Sequence, residues 1–179
     1  MTEQERSREE RFIQSVISRC EQEKGVAARL RRADNPATEY QSWELLATYG
    51  VDLEREQERL PFATIAAALA KAKADRNGSL SLGRAIIACF DGDPESKQAK
   101  ARLRRVLACH DLPELCRILR PLLTLISSRV DQPLDYVRLL RQLRFFGIAS
   151  RRGDNQWLQN IKAQWAQEFY GYKPELEEA

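Results

Sequence analysis

The only histidine of this sequence, His110, follows directly on one of four cysteines, Cys109. A nucleophilic enzyme needs a base within hydrogen-bonding reach of a serine or cysteine, and no such pair stands at a recognisable motif spacing from His110. Cys109, His110 and Cys116 could be grouped as metal ligands, but their spacing matches no standard zinc site and a fourth ligand is missing. We therefore expect buried structural thiols, a reducing cytoplasm and no metal site.

Other motifs of catalysis and cofactor binding are missing from the sequence as well. Asp91, Asp93 and Glu95 resemble the start of a calcium loop, but the glycine and the terminal glutamate that such a loop requires are out of register. No GxxxxGKS, GxGxxG or GxSxG motif occurs, so neither nucleotide-dependent nor esterase-type chemistry has support. The sequence predicts that the protein is not an enzyme and needs no cofactor.

Arginine is the residue type that dominates the charged chemistry of the chain. Among 179 residues with a net charge of only +3, arginine outnumbers lysine 22 to 7. Residues 97–152 carry a net charge of +9, whereas residues 1–60 carry −3, residues 61–96 are neutral and the remainder carries −3. The planar guanidinium fork suits bidentate phosphate contacts. A compact basic segment in a nearly neutral chain favours the binding of a polyanion such as nucleic acid.

The arginines of this basic segment are clustered rather than spread evenly. The clusters are Arg102, Arg104 and Arg105; Arg117 and Arg120; Arg138, Arg141 and Arg144; and Arg151 and Arg152. Only four carboxylates, Asp111, Glu114, Asp131 and Asp135, are available within the segment as partners. Like charges this dense repel one another unless an anion joins them.

Helical geometry separates one of these clusters from the core. At 100° per residue, Arg138, Arg141 and Arg144 lie opposite an apolar stripe, and we predict that all three face outward and contact a nucleic-acid backbone. The stripe consists of Tyr136, Leu139, Leu140, Leu143 and Phe146.

Aromatic side chains could stack on nucleobases, as single-strand binders require. The candidates are Trp43, Phe145, Phe146, Trp157, Trp165 and Phe169. Most of them fall on the predicted core faces of helices, so we expect each to serve packing. Binding would then use phosphates and show little base specificity.

Composition and periodicity predict an all-α fold of about eight helices in two packed bundles, residues 1–90 and residues 97–179, the second with the basic face. Strong helix formers dominate, and no segment alternates with period two. The predicted helices run from about Glu3 to Lys24, Tyr40 to Gly50, Pro61 to Ala74, Ser81 to Ile87, Lys97 to His110, Asp111 to Ile126, Gln132 to Gly147 and Asp154 to Tyr170. Pro121 should kink or end its helix, and 148–154 should be a linker. We expect no membrane segment, because the longest apolar run, Phe62 to Ala70, is too short to span a bilayer.

Several short stretches, taken in order, carry a resemblance to a known family. They are Arg29-Leu-Arg-Arg32 before an Asn-Pro turn, a Trp43 helix closing at Tyr49-Gly50, Ser81-Leu-Gly-Arg-Ala85, Arg102 to Leu107, His110 to Leu115 leading to Leu119 to Leu123, Pro133 to Tyr136, and Gln164 to Tyr170. In order and spacing, these stretches resemble the CasB family, the small subunit of the type I-E CRISPR surveillance complex called Cascade.

The resemblance implies a non-catalytic helical subunit, present in two copies, that contacts other Cascade subunits. It would brace the crRNA and the target DNA strand and hold the displaced strand. The basic residues of the family carry over onto Arg31, Arg32, Arg84, Lys100, Arg102, Arg105, Arg117 and Arg120. Such a role needs only backbone recognition, because base pairing with the guide reads the sequence.

Two other classes of protein remain open from the residues alone. A helix-turn-helix regulator would use Asp111 to Ile126 as its positioning helix and Pro133 to Phe146 as its recognition helix. The connection between them is longer than usual, and the recognition helix would offer a single amide, Gln142. A helical adaptor that binds an acidic protein would bind partner subunits without affinity for nucleic acid.

Overall fold

A computed structural model describes residues 6–171 and confirms the all-α prediction. In the described part of the chain, nine α-helices run from Arg8–Gln22 (α1), Lys24–Arg32 (α2), Trp43–Thr48 (α3), Glu56–Ala72 (α4), Leu82–Ala88 (α5), Lys97–Leu107 (α6), Leu112–Arg129 (α7), Tyr136–Arg152 (α8) and Asn155–Tyr170 (α9). A 3-10 turn at Glu39–Ser42 precedes α3. Within residues 6–171, extended pairing is limited to an isolated parallel bridge between Leu80 and Leu134.

The start of α1 is set by a capping box. The Ser7 hydroxyl accepts a hydrogen bond from the Glu10 N–H at 3.2 Å, and the Glu10 carboxylate accepts one from the Ser7 N–H at 2.9 Å. The predicted start at Glu3 lies outside the described residues. Glu23, in extended conformation, separates α1 from α2. The basic run that ends at Arg32 therefore forms the last turns of a helix, just before a turn.

Two prolines lie inside helices. Helix α4 begins at Glu56, five residues before the predicted start at Pro61, and α7 continues past Pro121 to Arg129. Of the two predicted effects of Pro121, an end to its helix is therefore wrong, and a kink stays a prediction.

The bounds predicted for α8 are wrong at both ends. The helix begins after Asp135, whose carboxylate accepts from the Arg138 N–H at 3.0 Å, and it continues through Gly147 to Arg152. Gly153 ends it in the left-handed conformation, with φ at +68°. A Cβ on Gly147 would lie 2.8 Å from a Leu112 methyl carbon, so glycine is needed there for close packing and not as a stop. The predicted linker is mostly the last turn of α8, which places Arg151 and Arg152 on a helix.

Helix α4 forms the centre of the core, because every residue from Leu60 to Ala70 is buried. It packs against α1, α2, α7 and α8, while α5 packs against α9. The second contact is close: a Cβ on Gly83 would lie 2.5 Å from the Trp165 carbonyl oxygen, so only glycine fits at this position. The division into bundles at residues 91–96 stays a prediction, and the two segments share one continuous core.

None of the helices in residues 6–171 is long and apolar enough to cross a membrane.

Candidate nucleic-acid interface

Arg120 is buried where α7 meets the end of α2. Its side chain is only 8% exposed, and its Nε lies 3.8 Å from a carboxylate oxygen of Asp34, the second residue after α2. The other Asp34 oxygen accepts a hydrogen bond from the Lys71 ammonium of α4 at 2.6 Å. Among the described residues, Nε and Nη2 of Arg120 have no hydrogen-bond partner. The prediction that Arg120 contacts a nucleic-acid backbone requires an exposed guanidinium group. The structure contradicts this requirement, because the guanidinium of Arg120 is buried.

The neighbouring arginines on α2 and α7 are on the surface. Arg31 and Arg32 are exposed in the last turn of α2, and Arg117 is exposed one turn before Arg120 on α7. Within residues 6–171, none of these three has an ion pair within 4.0 Å. The Arg120–Asp34 contact links α7 to the segment that follows α2.

Helix α6 carries three of the residues that were predicted to contact nucleic acid, and their surroundings differ. The Lys100 ammonium pairs with Glu95 at 2.7 Å, so its charge is partly compensated by the turn before the helix. Arg102 is half-buried, and Arg105 is exposed. Neither arginine pairs with a carboxylate in the described part of the chain. A further predicted contact, Arg84, is exposed on the short helix α5.

Arg102 and Arg117 lie close enough to buried thiols to affect them. Burial raises the pKa of the Cys89 thiol, and Arg129 and Arg102 partly offset that rise. Burial and Glu114 raise the pKa of Cys109 to about 11, against the opposing charges of Lys162 and Arg117. Both thiols are therefore neutral near pH 7 and weak nucleophiles.

The four cysteines are free thiols, and three of them are buried, in line with the expected structural role. Cys20 is half-buried. In residues 6–171, no group of three or more histidine, cysteine, aspartate or glutamate side chains could hold a metal ion.

The arginines of α8 are paired with carboxylates from distant segments. Arg138 pairs with Glu168 of α9, which also accepts a hydrogen bond from the Gly83 N–H at 3.3 Å. Arg141 lies 3.8 Å from Glu9 and 3.7 Å from Glu10, both on α1. These side chains are 47% and 41% exposed, so they reach solvent only in part.

Arg144 does not face outward, so the prediction is wrong for this residue. Its side chain is 24% exposed, its guanidinium pairs with Glu9, and it lies 5.5 Å from the centre of the Phe62 ring. The prediction considered only carboxylates near in sequence, whereas α1 and α9 supply the actual partners.

Glu9 of α1 is the carboxylate that pairs with Arg144. It is 8% exposed and receives both Arg144 and Arg141. Burial by itself would raise the pKa of Glu9, but its own backbone N–H and the two arginines outweigh burial and hold the pKa below its ordinary value. Glu9 is therefore ionised at neutral pH and joins α1 to α8.

A cleft of about 540 Å³ lies between the start of α4 and the end of α8. Its lining residues are Arg55, Gln57, Glu58, Arg144, Ile148, Arg151 and Arg152. Arg151 and Arg152 are exposed and have no ion pair within the described chain, while Arg55 pairs with Asp52 at 3.2 Å. These two arginines were not among the predicted binding residues. Their clustering was visible in the sequence. They were left out because residues 148–154 were predicted to form a linker, whereas both arginines lie on α8.

A family model and several solved structures match this chain. A family model described as CRISPR-associated protein Cse2 matches residues 26–170. The crystal structure of CasB from M. ruber is 25% identical to this chain, with a TM-score of 0.69, and the match covers 93% of this chain and 94% of that one. CasB from Thermobifida fusca (18% identity, TM-score 0.67, 92% and 98% covered) shares the fold. A CRISPR-associated protein of the Cse2 family from Thermus thermophilus also shares the fold, with 24% identity and a TM-score of 0.66, and the match covers 93% of this chain and 100% of that one. A search of curated protein sequences finds no match.

The fold and the surface define a small all-helical protein whose exposed basic charge is mostly arginine. With a family model matching residues 26–170, the chain belongs to the Cse2 family of CRISPR-associated proteins. The resemblance to the CasB family is thereby confirmed.

Proposed function

We propose that this protein is a non-catalytic, nucleic-acid-binding small subunit of the Cascade surveillance complex. It braces the crRNA and the target DNA strand and stabilises the displaced strand through backbone contacts that do not depend on sequence. Its other partners are the remaining Cascade subunits and a second copy of itself. The observation that carries the proposal is the set of exposed arginines at the end of α2, on α6 and α7, and at the end of α8 that lack carboxylate partners among residues 6–171.

The chemistry of these arginines fits a backbone ligand. A guanidinium group is charged at every physiological pH and offers five N–H donors in a fixed plane, which suits phosphate oxygens. The helices fix the backbone positions of the arginines before binding, so only side-chain rotamer freedom is lost on contact. A uniform phosphate backbone is the ligand that such an arrangement recognises without reading bases.

The proposed contact residues differ from the predicted set in three respects. Arg120 is left out because it is buried, and Arg144 is left out because it pairs with Glu9. Arg151 and Arg152 are added because they are exposed beside an open cleft. The retained residues are Arg31, Arg32, Arg84, Lys100, Arg102, Arg105, Arg117, Arg138 and Arg141.

Fluorescence anisotropy tests the proposal with single-stranded RNA, single-stranded DNA and duplexes of several sequences at two salt concentrations. The double variant Arg31→Gln/Arg32→Gln should lose affinity about equally for every sequence. Its dependence of log K on log salt should become shallower by roughly 0.7 to 0.9 for each lost phosphate contact. The control is Arg11→Gln/Arg76→Gln, which removes two exposed charges from α1 and from the loop after α4 and should leave affinity unchanged.

Three results would contradict the proposal. Preference for one palindromic duplex would indicate a helix-turn-helix regulator. Binding to partner subunits with no affinity for any nucleic acid would indicate an adaptor. Equal losses in the test and control variants would mean that net charge, and not this surface, sets the affinity.

A further inference from the structure

Phe145 of α8 is exposed, contrary to the expectation that the aromatic side chains serve packing. Its side chain is 43% exposed, whereas its neighbour Phe146 is fully buried. The Phe145 ring lies 5.5 Å from the half-buried Trp157 ring of α9, centre to centre, with 34° between the planes. Trp157 therefore supports one side of a ring that is open to solvent on the other.

Phe145 lies in the middle of a stripe of arginines. At 100° per residue, Arg138, Arg141, Phe145 and Arg152 fall within about 60° of arc on α8, opposite the buried leucines. Fourteen residues separate the first and last of these arginines, which corresponds to about 21 Å along the helix axis. One solvent-exposed ring is thus preceded and followed along this face of α8 by arginines.

The carboxylate partners of this stripe leave donors for a ligand. The ion pairs engage Nη2 of Arg138, and Nε and Nη2 of Arg141. Nη2 of Arg141 also donates to the Ser7 hydroxyl at 2.6 Å. A guanidinium group has five N–H donors, so these contacts use only part of the donor set of each arginine. Arg152 has no ion pair within residues 6–171.

We propose that this stripe, made of Arg138, Arg141, Phe145 and Arg152, binds a single-stranded nucleic acid with an unpaired base stacked on Phe145. The proposal rests on the proposed function and narrows it to a strand whose bases are free. Single strands alternate phosphates with accessible flat bases, which matches an aromatic ring set between arginines. A duplex keeps its bases stacked inside and offers this stripe only phosphates.

The test compares three probes of equal length: oligo(dT), an abasic oligomer with the same number of phosphates, and a mixed-sequence duplex. Phe145→Ala should weaken binding of oligo(dT) at least about fivefold, the lower end of the loss expected for one stacked base. It should leave the abasic oligomer and the duplex within about twofold of the wild-type protein, and Phe145→Trp should restore oligo(dT) binding. Arg152→Gln should weaken oligo(dT) and the abasic oligomer alike.

Tyr40→Ala is the matched control, because Tyr40 is also an exposed aromatic residue, 60% exposed, and lies outside the stripe. It should bind all three probes as the wild-type protein does. The melting temperature and oligomeric state of each variant are measured alongside.

The outcomes separate the two proposals. Wild-type protein that binds none of the probes would overturn the proposed function together with the stacking site. Normal binding of oligo(dT) by Phe145→Ala would overturn the stacking site alone, whether or not the variant changes its oligomeric state. An equal loss on all three probes would also overturn it, since the ring would then act by placing the arginines.

Discussion

The buried contact between Asp34 and Arg120 predicts a specific pattern of stabilities. Asp34→Asn removes the carboxylate that lies 3.8 Å from Arg120 and leaves a guanidinium that is 8% exposed without a counter-charge. Removal of one partner of a buried pair costs about 3 to 5 kcal/mol. Asp34 itself is 15% exposed and the contact is long, so we expect about 3 kcal/mol in the free energy of unfolding.

The reverse substitution should be far milder. Arg120→Met removes the buried charge and keeps an unbranched side chain of similar length, while Asp34 retains its 2.6 Å contact with Lys71. Replacement of a buried charge by a packed apolar side chain is often nearly neutral, so we expect a change of less than about 1 kcal/mol. The double variant Asp34→Asn/Arg120→Met should recover much of the stability that Asp34→Asn loses, because no buried charge is then left alone.

Urea unfolding of the four proteins measures this double-mutant cycle. In thermal melts, a loss of about 3 kcal/mol corresponds to about 6 to 12 °C for a chain of this size. The same proteins are titrated with single-stranded DNA, and Arg120→Met should bind like the wild-type protein. A stable Arg120→Met with a strong loss of affinity would refute the reasoning, because Arg120 would then reach the ligand. Additive stability losses would refute the pairing with Asp34.

Two further outcomes are expected. Trp165→Ala should destabilise the protein by roughly 3 to 5 kcal/mol, because Trp165 is fully buried and its Nε1–H donates to the Gln142 side-chain oxygen at 2.9 Å. The control is Trp43→Ala, since Trp43 is 39% exposed, and this variant should lose less than about 1 kcal/mol in the same unfolding assay. Glu9→Gln should lower stability near neutral pH. The difference in unfolding free energy between the variant and the wild-type protein should shrink as pH falls below the ordinary glutamate pKa of about 4.3. It should disappear once pH falls below the lower pKa of Glu9 in the folded protein, because protonation then removes the charge that Arg144 stabilises. A difference independent of pH would show that the charge of Glu9 is not what stabilises the contact.

Helix identity was predictable because its signals are local. The cap of α7 is one example: Asp111 stands three residues before Glu114 in the sequence and accepts from its backbone N–H at 2.8 Å. The end of α8 was not predictable in this way, since Gly147 and Gly153 look alike to a local pattern. Only tertiary packing distinguishes them, because Gly147 lies against Leu112 whereas Gly153 has positive φ and open space around it.

The candidate site was harder to predict than the fold for the same reason. Sequence reasoning identified arginine as the dominant basic residue type and located its clusters, but it could not tell a surface arginine from a paired one. Helical phase places Arg120 at the edge of the exposed face of α7, and burial there depends on Asp34, 86 positions earlier. Likewise, the exposure of Phe145 depends on how far α9 covers α8.

The charge of the basic segment is therefore a poor measure of the charge that a ligand meets. The acidic N-terminal third supplies Glu9, Glu10 and Asp34 as partners, and α9 supplies Glu168, so the arginines along α8 and the one at position 120 are largely compensated inside the protein. Among residues 6–171, exposed arginines without a carboxylate partner are found instead at the end of α2, on the outer faces of α6 and α7, and at the end of α8. A net charge of +3 is thus compatible with a strongly basic local surface. Under the proposed function, phosphates would be attracted to these helix faces and not to the protein as a whole.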